Sequence, residues 1–443
     1  MVPPEYKRIL LYFEEANSQM DFITSITEVL SAFFKFDSTV TIIGIILIVS
    51  LLFQVTVKKA ILGALKVSIG LTGLFMVVNL IQEAMVKPIT NIVLVYGLDK
   101  NVIDIGWGSV GYAFGNTYGY FGVFVFLIVN VLLVSIRFTQ TIYVDVFNTW
   151  RAMLLAGFVG VVSGSFWLAT LAVVVFLIID VKAADIAAPY IEKINNFPPG
   201  GSWPHGTHFS FQACIAIPIE WVLCRTPIIK DIHFDAETIQ EKFGVFGEST
   251  VMGATLGTLV GLFSQIGLMP SLLLGVKMAA AFLLLPRMAA ILVEGWFPII
   301  KASRSILVSK LKRDDVRIAL DCSTVIGHAA VIPTTLIMYP IALLISLLLP
   351  GNQMIASVSL IIVLWESAAV NAITGGNILH NIIILCFIVC LFCWGATLMA
   401  SPMTALAGSM GYEASKGMIS NWDAAGTPAL VLVYKLFSVV FGF

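Results

Sequence analysis

Charge is what this chain has least of. Of its 443 residues only 12 % are Asp, Glu, Lys or Arg, about half the ~25 % usual in a soluble domain. Neither sign dominates: 25 Lys and Arg face 26 Asp and Glu, a net charge of −1, so no basic field exists to hold nucleic acid. Cysteine is scarce as well, and six in such a chain make no disulfide framework. Cys386, Cys390 and Cys393 share one helical face of an unbroken apolar run. Cys390-Leu-Phe-Cys393 spells C-x-x-C, but a redox thiol needs electropositive, accessible surroundings, so small packing residues are expected here. No Walker A or other phosphate loop is present, so this chain does not itself hydrolyse a nucleotide. No His/Cys/Asp set has metal-ligand spacing, and neither a metal nor another cofactor is expected. Glu5, Lys7, Arg8, Glu14 and Glu15 interrupt the first twenty residues, so no cleavable signal is expected there.

What fills the space left by charge is apolar. Hydrophobic residues make up 59 % of the chain and mean hydropathy is +0.97, more than a core hidden from water alone could absorb. The bilayer is the solvent. Apolar runs at 39–57, 61–82, 119–136, 151–180, 249–269, 271–293, 322–350 and 376–399 each suffice to cross the ~30 Å of hydrocarbon. Shorter or broken segments lie at 84–96, 204–223, 353–373 and 424–441. The expectation is an all-α polytopic membrane protein with about 10–12 transmembrane segments, some of them re-entrant or broken. Residues 1–38 read as an N-terminal extension whose Phe22, Ile26, Val29, Leu30 and Phe33 suit an interfacial amphipathic helix. A first membrane repeat is expected over 39–224, a polar linker over 225–244 and a second repeat over 245–443.

The breaks carry more information than the clean runs. Phe197-Pro-Pro-Gly-Gly-Ser-Trp-Pro204 cannot be helix, because its prolines remove donors and its glycines remove propensity. Asn421-Trp-Asp-Ala-Ala-Gly-Thr-Pro428 looks like its partner near the C-terminus, and short interrupted segments in two halves point to a transporter binding site. Other features recur in the same order. Lys66 and Glu83 are seventeen apart with Pro88 beyond; Lys277 and Glu294 are also seventeen apart with Pro298 beyond. Ile103-Asp-Ile-Gly-Trp-Gly-Ser-Val110 lines up with Ile318-Ala-Leu-Asp-Cys-Ser-Thr-Val325, and Trp203-Pro-His-Gly-Thr207 with Asp423-Ala-Ala-Gly-Thr427. Two duplicated halves follow. Gly111, Gly115 and Gly119, and likewise Gly253, Gly257 and Gly261, have the spacing for close helix packing, although ordinary membrane-helix glycine is the preferred reading. Lys301, Arg304, Lys310, Lys312, Arg313 and Arg317 make the 301–317 loop cytoplasmic by the positive-inside rule. That loop and the mixed-charge loop at 225–242 are candidate docking surfaces for a soluble partner, with plain solvated charge as the alternative.

Ionisable groups within apolar segments are functional candidates, because stranding a charge there costs several kcal/mol. They are Glu83, Asp104, Asp145, His205, Glu220, Lys277, Arg287, Glu294, Asp321, His328 and Asp423. Lys277 and Glu294 are too far apart on one helix to pair, so each snorkels or meets a partner elsewhere. Asp321 and His328 sit two helical turns apart at the mouth of a long apolar run, and His205 and Thr207 follow the Pro/Gly break. A neutral polyhydroxylated ligand suits this inventory: carboxylates accept from hydroxyls, imidazole does both, and an indole covers a C–H face. Trp107, Trp203 and Trp422 each lie within four residues of such a group. On the residues alone, an ion-coupled secondary transporter and a membrane protein with degenerate sites stay open beside a permease.

Val144-Asp-Val-Phe-Asn-Thr-Trp150, Trp203-Pro-His-Gly-Thr207, Phe234-Asp-Ala-Glu-Thr-Ile-Gln-Glu-Lys-Phe-Gly-Val-Phe-Gly-Glu248, Gly275-Val-Lys-Met-Ala-Ala-Ala281, Leu320-Asp-Cys-Ser-Thr-Val-Ile-Gly-His328 and Pro350-Gly-Asn-Gln353 resemble one family. It is the galactitol-type IIC membrane component of the bacterial phosphoenolpyruvate-dependent sugar phosphotransferase system. The resemblance implies import of a polyol across the inner membrane and its phosphorylation at the inner mouth by a cytosolic IIB protein carrying phosphocysteine. It implies separate IIA and IIB chains, and no phosphoryl-carrying residue in this one. Kinship with the ascorbate transporters implies a homodimer of inverted repeats, whose core domain moves against a dimerising scaffold in an elevator-like way. Carried over onto matching positions, Asp104, Trp107, Asp145, Asn148, His205, Gly206, Thr207, Asp321, His328 and Asn377 become substrate-site residues. Asp423 joins them from its place at the second break.

Overall fold

Apolar chain in hydrocarbon must satisfy its own backbone groups, and this protein does so largely with helices. The computed structural model describes residues 43, 44, 47, 50, 51, 54–97, 100–143, 149–194, 201–202, 209–311, 313, 315–319, 326–413 and 417–443. In the first part of the chain lie α1 (Val57–Val95), β1 (Val102–Asp104), α2 (Ser109–Gly115), α3 (Thr117–Ser135), β2 (Thr141–Tyr143), α4 (Trp150–Ser163), α5 (Phe166–Ile194), β3 (Gly201–Ser202) and α6 (Phe211–Leu223). Then come α7 (Ala236–Phe243), α8 (Ser249–Phe263), α9 (Leu268–Leu311), β4 (Arg317–Ala319), α10 (Val331–Leu348), α11 (Ile362–Thr374), α12 (Ile378–Leu398), α13 (Ala400–Ser409), β5 (Met418–Ser420) and α14 (Pro428–Phe441). Among the described residues six helices, α1, α3, α5, α9, α10 and α12, are long and apolar enough to cross a membrane. Five shorter apolar helices, α4, α6, α8, α11 and α14, accompany them.

The run expected at 151–180 is two helices. It divides at Gly164, whose φ of 66° ends α4 in the left-handed region before α5 begins. The run expected from 322 becomes helix only at Val331. The N-terminal extension, with its expected amphipathic helix, lies outside the described residues.

α1 and α9, 39 and 44 residues long, run antiparallel. Glycine sets their closeness: a Cβ added at Gly70 would lie 2.6 Å from the Leu292 nitrogen, and one at Gly295 would lie 2.6 Å from that of Val67. Glu294 finds its partner across this seam in Lys66, at 2.9 Å. The second glycine series also packs helices, contrary to the preferred sequence reading. Added Cβ atoms at Gly257 and Gly261 on α8 would lie 2.8 Å from the Leu274 oxygen and 2.6 Å from the Ser271 Cα, both on α9. The first series forms no such seam; Gly111 has nothing within 4 Å.

The broken segments use β-structure to satisfy their backbones. β2, β4 and β3 form one parallel sheet in that order, pairing Thr141 with Arg317 and Gly201 with Ile318. β1 pairs in parallel with β5, Ile103 facing Ile419, and bridges Met354 on its other side. One apolar core gathers α1 and α9–α12; a second gathers α3–α5, α13 and α14.

Candidate functional site

At the junction of the second break with α4 lies a buried charge network. Arg151 stands one residue inside α4 and is 3 % exposed, over the ring of Trp150. Its Nη2 donates to Asp423 Oδ1 at 2.5 Å and its Nε to the Asp423 carbonyl at 2.9 Å. Glu366 on α11 is wholly buried within electrostatic reach of both partners. Asp180 on α5 is also buried, beside Tyr143 and within reach of Arg151. Asp423 thus pairs directly with the guanidinium, and two further buried carboxylates feel its field. A buried pair of this kind demands near-complete hydrogen bonding, because each desolvated charge costs several kcal/mol. Of the four, sequence reasoning found Asp423 alone. Arg151 and Asp180 mark the two ends of the run expected at 151–180, where a charge looks like a span boundary, and Glu366 lies in a segment set aside as broken.

Asp104 belongs to the same neighbourhood by a different route. Its Oδ1 accepts from the Gly106 nitrogen at 3.0 Å and Ser359 Oγ at 2.6 Å; its Oδ2 accepts from the Ser357 and Ser359 nitrogens at 2.7 and 2.8 Å. With Ser357 Oγ, 3.4 Å from Oδ2, as a fifth donor, the carboxylate's acceptor sites are filled, so Asp104 fixes the 357–361 turn against β1. Ser359 Oγ in turn accepts from the Trp422 nitrogen at 3.1 Å, one residue before Asp423. Trp107 packs on Trp365 with ring centroids 5.3 Å apart, next in sequence to Glu366. Asp104 thus reaches the Asp423 segment through Ser359 and Trp422, and Trp107 reaches the Glu366 segment through Trp365.

His328 and Asn377 form a second group. A Cβ added at Gly376 would lie 3.5 Å from His328 Cε1, and Asn377 caps α12 by accepting from the Leu379 and His380 nitrogens. Beyond it Asn381 donates to Asn371 and Thr334 and accepts from Thr374 Oγ at 2.6 Å. α11 carries Glu366 toward one group and Asn371 and Thr374 toward the other, eight residues or ~12 Å along its axis.

Asp145, Asn148, His205, Gly206, Thr207 and Asp321 lie outside the described residues. The strands that enter their segments are adjacent, however. The register sets Tyr143 opposite Ala319 and Ala319 opposite Ser202, and these precede Asp145, Asp321 and His205 by two, two and three residues. An open polar groove of ≈ 560 Å³ lies where β2 and β4 begin, lined in part by Arg137, Thr139, Gln140, Lys182, Asp185 and Arg313. Arg313 grips Asp315, and that partner holds the Asp315 carboxyl below its ordinary range.

Comparison with known proteins gives the site its context. The chain is 28 % identical over 415 residues to the galactitol-specific EIIC component of a PTS system from Escherichia coli strain K12, covering 93 % of this chain and 91 % of that one. The corresponding component from Escherichia coli O157:H7 matches to the same extent. Residues 33–417 match the model of the EIIC-GAT family, described as the PTS system sugar-specific permease component. Long apolar helices, buried charge at chain breaks and a family match over most of the sequence agree: the chain belongs to the EIIC-GAT family of phosphotransferase-system permease components, multi-pass proteins of the inner membrane.

Proposed function

We propose that this permease binds a galactitol-like hexitol or a pentitol, carries it across the membrane by an elevator-like motion, and presents it to a separate phosphocysteine-bearing IIB protein charged by IIA. The observation that carries this reading is the register of β2, β4 and β3, which brings the entries to the Asp145, Asp321 and His205 segments into one row. A polyol offers only hydroxyls and C–H faces; acceptors from those three segments, with Asn148, Gly206, Thr207, His328 and Asn377 nearby in sequence or fold, match it. Trp107 supplies the apolar wall, while Asp104, Arg151 and Asp423 hold the breaks in shape.

Reciprocal strand pairing supports two inverted repeats. β4 begins 215 residues after β1, at Arg317 against Val102, and each pairs with a late strand of the other half: β1 with β5, β4 with β3. α1 and α9 face each other antiparallel, as a dyad between the halves requires. Their exposed apolar residues, such as Ile69, Met76, Val276 and Leu284, suit the scaffold of a homodimer or a lipid boundary. The polar groove beside Arg313 and Arg317 lies on the face that the positive-inside rule assigns to the cytoplasm, where IIB would dock.

Thermal stabilisation of the purified protein by a polyol panel tests the substrate class, because a ligand that binds only the folded state raises its melting temperature. A hexitol or pentitol is expected to do so, and Asp321→Asn or His205→Ala to abolish it. Stabilisation by no polyol would remove the reading. One observation favours an ion-coupled transporter instead, namely the excess of carboxylates over Arg151 in the buried network. Uptake driven by a proton or sodium gradient without IIB would mark it.

A further inference from the structure

A cluster away from the charge network brings together donors that the sequence keeps 156 residues apart, from Cys224 to His380. Glu220 and Cys224 are four residues apart at the end of α6, hence on one face, and Cys224 Sγ lies 3.2 Å from Glu220 Oε1. His380, in the first turn of α12 and 3 % exposed, directs Nδ1 at both Glu220 oxygens, 3.0 and 2.9 Å away. The three donor atoms all lie within 4.8 Å of one another. Backbone and amide bonds also tie the start of α12 to the 232–234 segment before α7, independently of this cluster: the Ile378 nitrogen donates to the Phe234 carbonyl at 2.6 Å, and Asn377 Nδ2 to that of Ile232 at 3.0 Å. Glu220 already touches both Cys224 and His380 before any ion arrives.

We infer that Glu220, Cys224 and His380 form a site for a borderline divalent metal ion of the Zn²⁺ class. A tetrahedral ion at ~2.0–2.3 Å from N, O and S donors needs donor separations of about 3.3–3.7 Å, so Glu220 must part from Cys224 and His380 by a few tenths of an ångström, while Sγ and Nδ1, within 4.8 Å of each other, must meet the same span. The ligand chemistry selects the ion: a thiolate and an imidazole disfavour Mg²⁺ and Ca²⁺, and one carboxylate with them suits Zn²⁺ or Co²⁺. Cys224 is exposed, which leaves the fourth position to water. On binding, water leaves the ion as bonds form to Sγ, Nδ1 and one Glu220 oxygen. The thiol proton passes to solvent, and the imidazole proton facing Glu220 moves to Nε2. Such a clip fastens α6, which follows the His205–Thr207 segment, to the start of α12, which follows Asn377. It bears on the permease whatever its substrate.

Co²⁺ titration of the full-length protein, purified in detergent and freed of metal by a chelator, tests the inference. One equivalent is expected to produce a thiolate-to-cobalt charge-transfer absorption with tetrahedral d–d bands, and Zn²⁺ to erase both. Cys224→Ser, an isosteric change at an exposed position, is expected to abolish the charge-transfer band, and His380→Gln to weaken binding about tenfold or more. Cys390→Ser, in the apolar C-x-x-C run, is expected to leave the band unchanged. Absence of any band at stoichiometric Co²⁺, or a band that survives Cys224→Ser, would overturn the site.

Discussion

Arg151 is the residue on which the buried network turns. Removing a cation from among Asp423, Glu366 and Asp180 leaves carboxylates without their counter-charge, a loss of about 3–5 kcal/mol where a buried pair is broken. Arg151→Gln is therefore expected to lower the melting temperature sharply, while Arg151→Gln combined with Asp423→Asn recovers part of the loss. Differential scanning fluorimetry on the four members of that cycle measures the coupling, and strict additivity would show that the pair contributes little. Asp104 stood out in the sequence as a carboxylate in an apolar run, but its task as holder of the 357–361 turn was not legible there. That depended on Ser357 and Ser359, 253 and 255 residues away. Arg151, Asp180 and Glu366 escaped notice for the converse reason, since charge at the edge of an apolar run resembles a membrane boundary until the fold buries it.

At the scale of elements, glycine decides how closely α8, α9 and α1 approach. Gly257→Leu must displace the Leu274 carbonyl or the α9 backbone and is expected to cost about 1–3 kcal/mol, as overpacking does. Gly111→Ala meets nothing and should leave the melting temperature within error. Equal effects of the two would contradict the packing described. The same spacing occurs in both series, so only the neighbour across the seam distinguishes them, and that neighbour is a tertiary fact. Outside the membrane helices, Asp235 caps α7 by accepting from the Thr238 nitrogen and hydroxyl, which hold its carboxyl below the usual range. A depressed folded-state pKa means this cap stabilises above the unfolded value of about 3.9 and is lost as pH falls through the folded value. Protection of the α7 amides relative to their intrinsic exchange should accordingly fall on acidification below pH ~4, and Asp235→Ala should lower it already at neutral pH. Unchanged exchange in the variant would show the cap to be idle.

For the whole molecule, composition was enough to name the solvent, and periodicity enough to place most helices. The architecture was legible only in outline. Weak matches such as Ile103–Val110 against Ile318–Val325 pointed to duplication, and Val102–Asp104 and Arg317–Ala319 within or beside them are the strands β1 and β4. Their partners β5 and β3 lie far away in the sequence, a pairing that no local pattern announces. It gives irregular backbone at membrane depth the bonds that water cannot provide.

The central claim is phosphorylation-coupled polyol import, and vesicles holding this permease test it most directly. With IIA, IIB and phosphoenolpyruvate supplied on the cytoplasmic face, a labelled hexitol or pentitol is predicted to accumulate there as its phosphate. Omission of IIB should prevent this, and Asp321→Asn should reduce it severely. Accumulation of unmodified polyol under an ion gradient, or no phosphorylated product from any polyol in a broad panel, would contradict the account.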